Sequence, residues 1–171
     1  MRNLKPTLAL VAALIALGAT LGCAGQSGKK ASARRVTIAS SNVVVIDRTG
    51  SAGLVSGRPK FRFPAHVTVT NRARIRALVA ALERLRRFPK GLFACPMDLS
   101  LRYVLRFESV DAQSQVRTIA RVTVDPSGCE TVTGLGYPRR APGSASLWRV
   151  LGEAVGVPHA TVATFQGRAS P

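Results

Sequence analysis

The stretch CPMDLSLRYVLRFESVDAQSQVRTIARVTVDPSGC, residues 95–129, begins and ends on cysteine and holds two extended runs between them. In the first, Leu99 to Glu108, the apolar Leu101, Tyr103, Leu105 and Phe107 alternate with Arg102, Val104 and Arg106. This is the two-residue period of a strand with one buried face. Asp111 to Ser114 are turn-prone. The second run, Val116 to Val124, carries Ile119, Val122 and Val124 before Asp125-Pro126-Ser127-Gly128 stops it. The pattern predicts a β-hairpin that a bond between Cys95 and Cys129 closes at its base.

The chain has only one more cysteine, Cys23, and it belongs to a different kind of segment. Arg2 and Lys5 form a basic n-region, Leu8 to Leu21 an apolar h-region, and Gly22-Cys23-Ala24 a small-residue processing site. Residues 1–23 therefore read as a secretory signal peptide, too short in its apolar run for a comfortable membrane span of roughly 20 residues. Thr20-Leu21-Gly22-Cys23 resembles a bacterial lipobox, with Thr20 and Leu21 in the reverse of the usual order, and makes Cys23 the candidate lipidation site. Cleavage near Ala24 is the other reading. Either way Cys95 and Cys129 remain as one even pair, which in an oxidising compartment is expected to be a disulfide. A two-cysteine metal site needs further ligands, and no His lies near either cysteine.

The 171 residues include 25 Lys and Arg against 8 Asp and Glu, for a net charge of +17. Such an excess favours polyanions: nucleic acid in a cytoplasmic protein, anionic lipid or wall polymer outside the cell. The leader selects the second, and no nucleic-acid motif argues for the first. Residues 24–35 (AGQSGKKASARR) hold no large apolar side chain and read as a flexible basic tether, able to reach about 40 Å when extended.

Residues 36–165 are expected to form a single domain. Val36, Ile38 and Val43-Val44-Val45-Ile46 read as one strand, broken at Ser40-Ser41 or continuous. Arg48 to Pro64, rich in Gly and Pro, reads as loop, with short pairing at Leu54-Val55 or Phe61 to Phe63 as an option. His66 to Thr70 is a short strand with Val67 and Val69 on one side. Asn71 can cap a helix running to Phe88, in which Ile75, Leu78, Val79, Leu82 and Leu85 form an apolar stripe, and Pro89 and Gly91 end it. Arg72, Arg74, Arg76, Arg84 and Arg87 lie off that stripe and are the candidate anion-binding residues; the first three crowd the helix N-terminus, where the macrodipole disfavours cations. After Cys129, Glu130 to Thr133 is a third strand and Gly134 to Gly143 a loop with Arg139-Arg140 exposed. Ser144 or Ser146 can cap a second helix with Leu147, Val150, Leu151 and Val155 inward, Trp148 at its margin and Gly156 at its exit. Ala160 to Phe165 is expected as an edge strand or disordered, and residues 166–171 as a disordered tail.

No catalytic set stands out. His66 and His159 lack acidic or cysteine partners nearby, no GxSxG is present, and Gly134-Leu135-Gly136 lacks the lysine and third glycine of a phosphate loop. The expectation is a non-enzymatic protein with no cofactor and no metal site; a protease inhibitor and an enzyme whose site the sequence does not display are the alternatives.

Three stretches, HVTVTNRARIRALVAAL from His66, FACPMDLSLRYVLRF from Phe93 and VTVDPSGCETVTGLG from Val122, resemble an actinobacterial group of small exported proteins and lipoproteins whose function is uncharacterised. Cys95-Pro96-Met97-Asp98 and Gly128-Cys129 match its marks, whereas Asn71-Arg72 stands where Asp-Pro is common. Cys-Pro-Met before a disulfide-closed hairpin also resembles the secreted subtilisin inhibitors, and that likeness implies a protease-facing bond at Met97-Asp98. The family's other disulfide has no counterpart here, and Asp98 is unusual just after such a bond. The whole predicts an α+β fold: an antiparallel sheet, made of the disulfide-closed meander plus N-terminal strands, with two helices packed on one face. It predicts an exported protein, lipid-anchored at the outer face of the cell membrane or secreted, whose partners are the membrane through that anchor, anionic envelope components and an unidentified protein.

Overall fold

The alternation in residues 101–107 places one strand at the centre of everything else. In the computed structural model, which describes residues 37–50 and 60–168, this strand is β3 (Arg102–Val110), with Tyr103, Leu105 and Phe107 fully buried on one face. β1 (Val43–Thr49) pairs on one side of it and β4 (Val116–Val124) on the other, both antiparallel. The register stacks Ile46, Leu105 and Val122 across one row and Val44, Phe107 and Ala120 across the next, so each row meets the core with apolar side chains. β2 (His66–Val69), β5 (Thr131–Thr133) and β6 (Arg139–Arg140) complete a six-stranded sheet in the order β2-β1-β3-β4-β5-β6. A bulge between Phe107 and Glu108 leaves Ile119 without a partner in the ladder. This explains how Ile119 and Val122, an odd number of residues apart, share one strand.

Two helices cover one face. α1 (Arg72–Glu83) buries Ile75, Leu78, Val79, Ala81 and Leu82, and α2 (Ser146–Ala154) buries Leu147, Trp148, Val150, Leu151 and Ala154, in one cluster with the inward side chains of the sheet. The expected α+β architecture is thus the one found. Asn71 caps α1, its Oδ1 accepting from the amides of Ala73 (3.0 Å) and Arg74 (3.1 Å), a contact worth about 1 kcal/mol. Cys95 and Cys129 are bonded, with Cα atoms 4.9 Å apart and 34 residues of separation. Closing a loop of that length stabilises the fold by about 3–4 kcal/mol.

Several expectations need correction. Ile38 is fully buried but lies in a turn, its carbonyl accepting from Ser41, and the strand starts only at Val43. Phe61 to Phe63 is irregular rather than paired, although Phe63 is buried against Tyr103 and Phe165. Leu54-Val55, Val36, the leader and the tether lie outside the described residues. Neither Ser144 nor Ser146 caps α2: its N-cap is Ala145, with no side-chain hydrogen bond. Trp148 is not marginal but fully buried, and its Nε1 donates to the Ala141 and Pro142 carbonyls.

The C-terminal segment is helical, not a strand. α3 (Val162–Phe165) opens with a capping box between Thr161 and Thr164 and drives Phe165 into the core, where its ring packs on Tyr103 and Trp148. The Phe165 carbonyl accepts the Tyr103 hydroxyl at 2.8 Å, and burial pushes that hydroxyl far above the ordinary tyrosine range, with Arg48 nearby acting the other way. Gln166 donates to the Pro126 carbonyl, so the packed structure continues past α3. Gly134, just after β5, has φ of 96°, and a Cβ there would run into the Arg121 carbonyl. Gly152 lets the turn at residues 157–160 lie directly on α2, since a Cβ there would collide with Ala160.

The other face of the sheet carries a chain of ion pairs. Arg106 reaches Asp47 at 2.8 Å and Glu108 at 3.3 Å, and Asp47 also holds His66 Nδ1 at 2.6 Å. Strand register brings Asp47 opposite His66, an acidic partner that sequence spacing does not reveal. Among the described residues no helix is long and apolar enough to cross a membrane.

Candidate functional site

The apolar stripe of α1 extends to Leu85, yet the helix stops at Glu83, with Arg84 as its C-cap. The cause is tertiary. Residues 86–88 peel away and pair beside β6: the Arg140 amide donates to the Arg86 carbonyl, and the Phe88 amide to the Pro138 carbonyl. Arg139, placed by β6, turns its guanidinium onto carbonyls at the helix end, with Nη1 donating to Leu82 (3.1 Å), Glu83 (2.7 Å) and Leu85 (3.3 Å). A cation at the negative end of a helix is favourably placed. Arg139 is therefore structural, half-buried rather than an exposed loop residue.

This departure opens a groove of about 370 Å³ between the end of α1 and the start of α2. Arg84, Arg86, Arg87 and Arg140 line it, together with Pro142 and Ser146. Among the described residues no carboxylate lies within ion-pair distance of these four arginines, whereas Arg102 and Arg106 each have two and Arg149 has one. Arg87 stacks on the Tyr137 ring at 3.9 Å, which fixes its guanidinium while leaving hydrogen-bond donors for another group. The uncapped first turn of α2 adds the positive end of a helix dipole to the same place, with Ser146 at the groove wall. One carboxylate stands behind it. Burial raises the Glu130 carboxyl above its ordinary value, opposed by the Arg140 charge and the Gly143 amide.

The five candidate arginines of α1 do not form one site. Arg84 and Arg87 enter the groove; Arg72, Arg74 and Arg76 lie exposed at the opposite end of the helix, roughly 18 Å away along its axis. Arg86 and Arg140 are the members that sequence reasoning missed. Both sit in arginine doublets, the visible signal, but only the pairing of residues 86–88 with 138–140 brings the doublets together.

A second exposed feature precedes β3. Residues 91–98 are all exposed, and Leu92, Phe93 and Met97 are three of the four large apolar side chains facing solvent among the described residues. Met97, 67% exposed, sits on a braced loop: Cys95 is bonded to Cys129, and the Met97 carbonyl accepts the Gly128 amide at 3.3 Å. Ser127 ties the other side, its hydroxyl donating to Asp98 Oδ1 (3.1 Å) and accepting the Leu99 amide (3.0 Å). Asp98 is thus part of the bracing, and it also accepts the Ser100 amide at 2.7 Å.

Cys23 lies outside the described residues. Among those described, no group of three or more His, Cys, Asp and Glu side chains converges as a metal site would require. Comparison with family models, with curated proteins and with solved structures finds no match to the chain.

Proposed function

We propose that this is an exported envelope protein, held at the outer membrane surface by lipid on Cys23, that binds anionic surface polymer or lipid without catalysing a reaction on it. The observation that carries this reading is the groove itself: four arginines, drawn from two parts of the chain, face one concavity, with no carboxylate among the described residues within ion-pair distance of them. Arg84, Arg86, Arg87 and Arg140 are exposed to an incoming ligand, Arg87 with its guanidinium stacked on Tyr137, and guanidinium groups gathered in one place suit phosphate and carboxylate recognition. The basic–apolar–small leader ending at Cys23 and the Cys95–Cys129 disulfide support export.

Binding of the purified chain to phosphatidylglycerol vesicles and to isolated anionic wall polymer is expected to fall steeply between low and high salt, since such attraction is screened over about 10 Å at 0.1 M. Arg84→Glu combined with Arg140→Glu should weaken it at least about tenfold. Unchanged affinity in that double variant would overturn the reading. In cells, Cys23→Ala should move the protein from the membrane fraction to the medium; an intact mature chain beginning at Gly25 in the medium of the parent strain would remove the anchor.

A second reading rests on the braced loop. A side chain 67% exposed, on a segment tied by a disulfide and three hydrogen bonds, loses little entropy on docking into a protease cleft. Inhibition of subtilisin-like proteases, abolished by Met97→Gly, is the expected outcome. Rapid cleavage after Met97 as an ordinary substrate would exclude it.

A further inference from the structure

A second basic concavity, separate in its residues from the arginine groove, forms where the chain after α2 meets the segment leading into β2. Its volume is about 390 Å³, within the range of small-molecule pockets, about 300–1,000 Å³. Lys60 and Arg62 come from one segment, His159 from the turn after α2, and Arg168 from the turn after α3. Among the described residues no acidic side chain lines it. Among the described residues none of Lys60, Arg62 and Arg168 has a carboxylate within ion-pair distance.

The fold builds this place deliberately. The Lys60 amide donates to the Gly167 carbonyl at 3.1 Å, and the Arg168 amide to the Ala163 carbonyl at 3.1 Å, so the backbones that carry two of the cations are tied to each other through α3. Gly152 allows the turn at residues 157–160 to sit on α2, and the Val157 amide donates to the Gly152 carbonyl at 2.7 Å. His159 is held with φ of 56°, a left-handed conformation uncommon outside glycine and found most where surroundings enforce it. Val157, Pro158 and Ala160 give one wall an apolar surface.

We infer that this cleft is a binding site for a phosphate monoester, the phosphoryl group held by Lys60, Arg62 and Arg168 with His159 as a further hydrogen-bonding group, and the ester's carbon portion resting on Val157, Pro158 and Ala160. A monoester carries a charge of about −1.5 to −2 and three acceptor oxygens, which matches the three cations that line one cleft better than a singly charged carboxylate or diester does. Arginine supplies the planar fork for two of those oxygens, and lysine a point charge for the third.

The experiment is titration of the purified full-length chain with glycerol 3-phosphate, in parallel with vesicles containing phosphatidate, followed by calorimetry and by amide chemical shifts. Saturable binding of glycerol 3-phosphate, with shifts centred on residues 157–168, is expected, weakened at least about tenfold by Arg62→Ala or by Arg168→Ala and unaltered by Arg117→Ala on the exposed end of β4. Arg168→Lys, which keeps the charge, should retain partial affinity and controls for a folding defect. Binding confined to glycerol 3-phosphate assigns a soluble ester; added binding of phosphatidate vesicles with the same variant pattern assigns a lipid headgroup at the same cleft. Absence of saturable binding to both probes overturns the site, as does binding that Arg84→Ala with Arg140→Ala removes while Arg62→Ala and Arg168→Ala leave it intact.

Discussion

The two ends of α1 carry similar charge and have opposite fates. At the N-terminal end Arg72, Arg74 and Arg76 project into solvent, around amides already satisfied in part by Asn71. At the C-terminal end the chain leaves the helix, pairs beside β6 and meets Arg140, while Arg139 donates to carbonyls at the helix end. The first set works against the helix dipole and lines neither of the two concavities described above. The second is aligned with its own helix end and rims a groove. A run of arginines becomes a site only where a second segment of chain gives it an opposite wall.

The largest test of this contrast removes the guanidinium that ends the helix. Arg139→Met keeps the stem's packing but deletes three hydrogen bonds to main-chain carbonyls, one of them at 2.7 Å. Because the Arg139 Nε is itself buried without a partner among the described residues, the loss should fall near the middle of the usual range for charged hydrogen bonds, about 2 kcal/mol. Urea denaturation measures it, and faster hydrogen exchange at the Arg140 and Phe88 amides localises it. A variant as stable as the parent would show that α1 ends here without help from Arg139.

A smaller effect is expected at the other end. Replacing Arg72, Arg74 or Arg76 by Glu should stabilise the protein by about 0.3–1 kcal/mol each at low ionic strength, with little change in polyanion affinity relative to the groove variants. A loss of affinity equal to that of Arg84→Glu with Arg140→Glu would merge the two ends into one binding surface and dissolve the contrast.

The smallest effect sharpens the description of the groove. Since burial raises the Glu130 carboxyl, the folded chain holds that proton more tightly than the unfolded chain does. Stability from this group is therefore present at low pH and is lost as pH rises from the ordinary carboxylate value through the raised one. Glu130→Gln should be more stable than the parent above that window and equal to it below, as melting curves across acidic pH will show. The same change removes a negative charge that acts on Arg140, so polyanion affinity should rise; a fall would mean that Glu130 positions Arg140 rather than opposes the ligand.

Much of the fold was legible because it depends on local period. The alternation of Leu101, Tyr103, Leu105 and Phe107, the stripe from Ile75 to Leu82 and the cap at Asn71 each state their outcome within a few residues. What was hidden depends on distant partners. Nothing near Leu85 says that the helix should stop, because the reason lies at Pro138 to Arg140. Phe165 looks like the end of a weak tail, but Tyr103, Phe63 and Trp148 surround it in the core. Only half of the groove could be foreseen: Arg84 and Arg87 were visible as part of a helix face, while Arg86 and Arg140 acquire meaning from a backbone pairing that no spacing encodes.

Trp148, the chain's single tryptophan, gives the molecule an optical gauge of its own state. Its indole is shielded from water, and its N–H is shared between the carbonyls of Ala141 and Pro142. Pro142 also forms part of the wall of the arginine groove. Emission should therefore be blue-shifted in the folded chain and should move to the red only on global unfolding. A ligand seated between Arg84 and Arg140 would lie against Pro142, whose carbonyl accepts the indole N–H, so a change of intensity without the red shift is the expected optical sign of occupancy. Unfolding and occupancy can thus be followed in one cuvette, without a label.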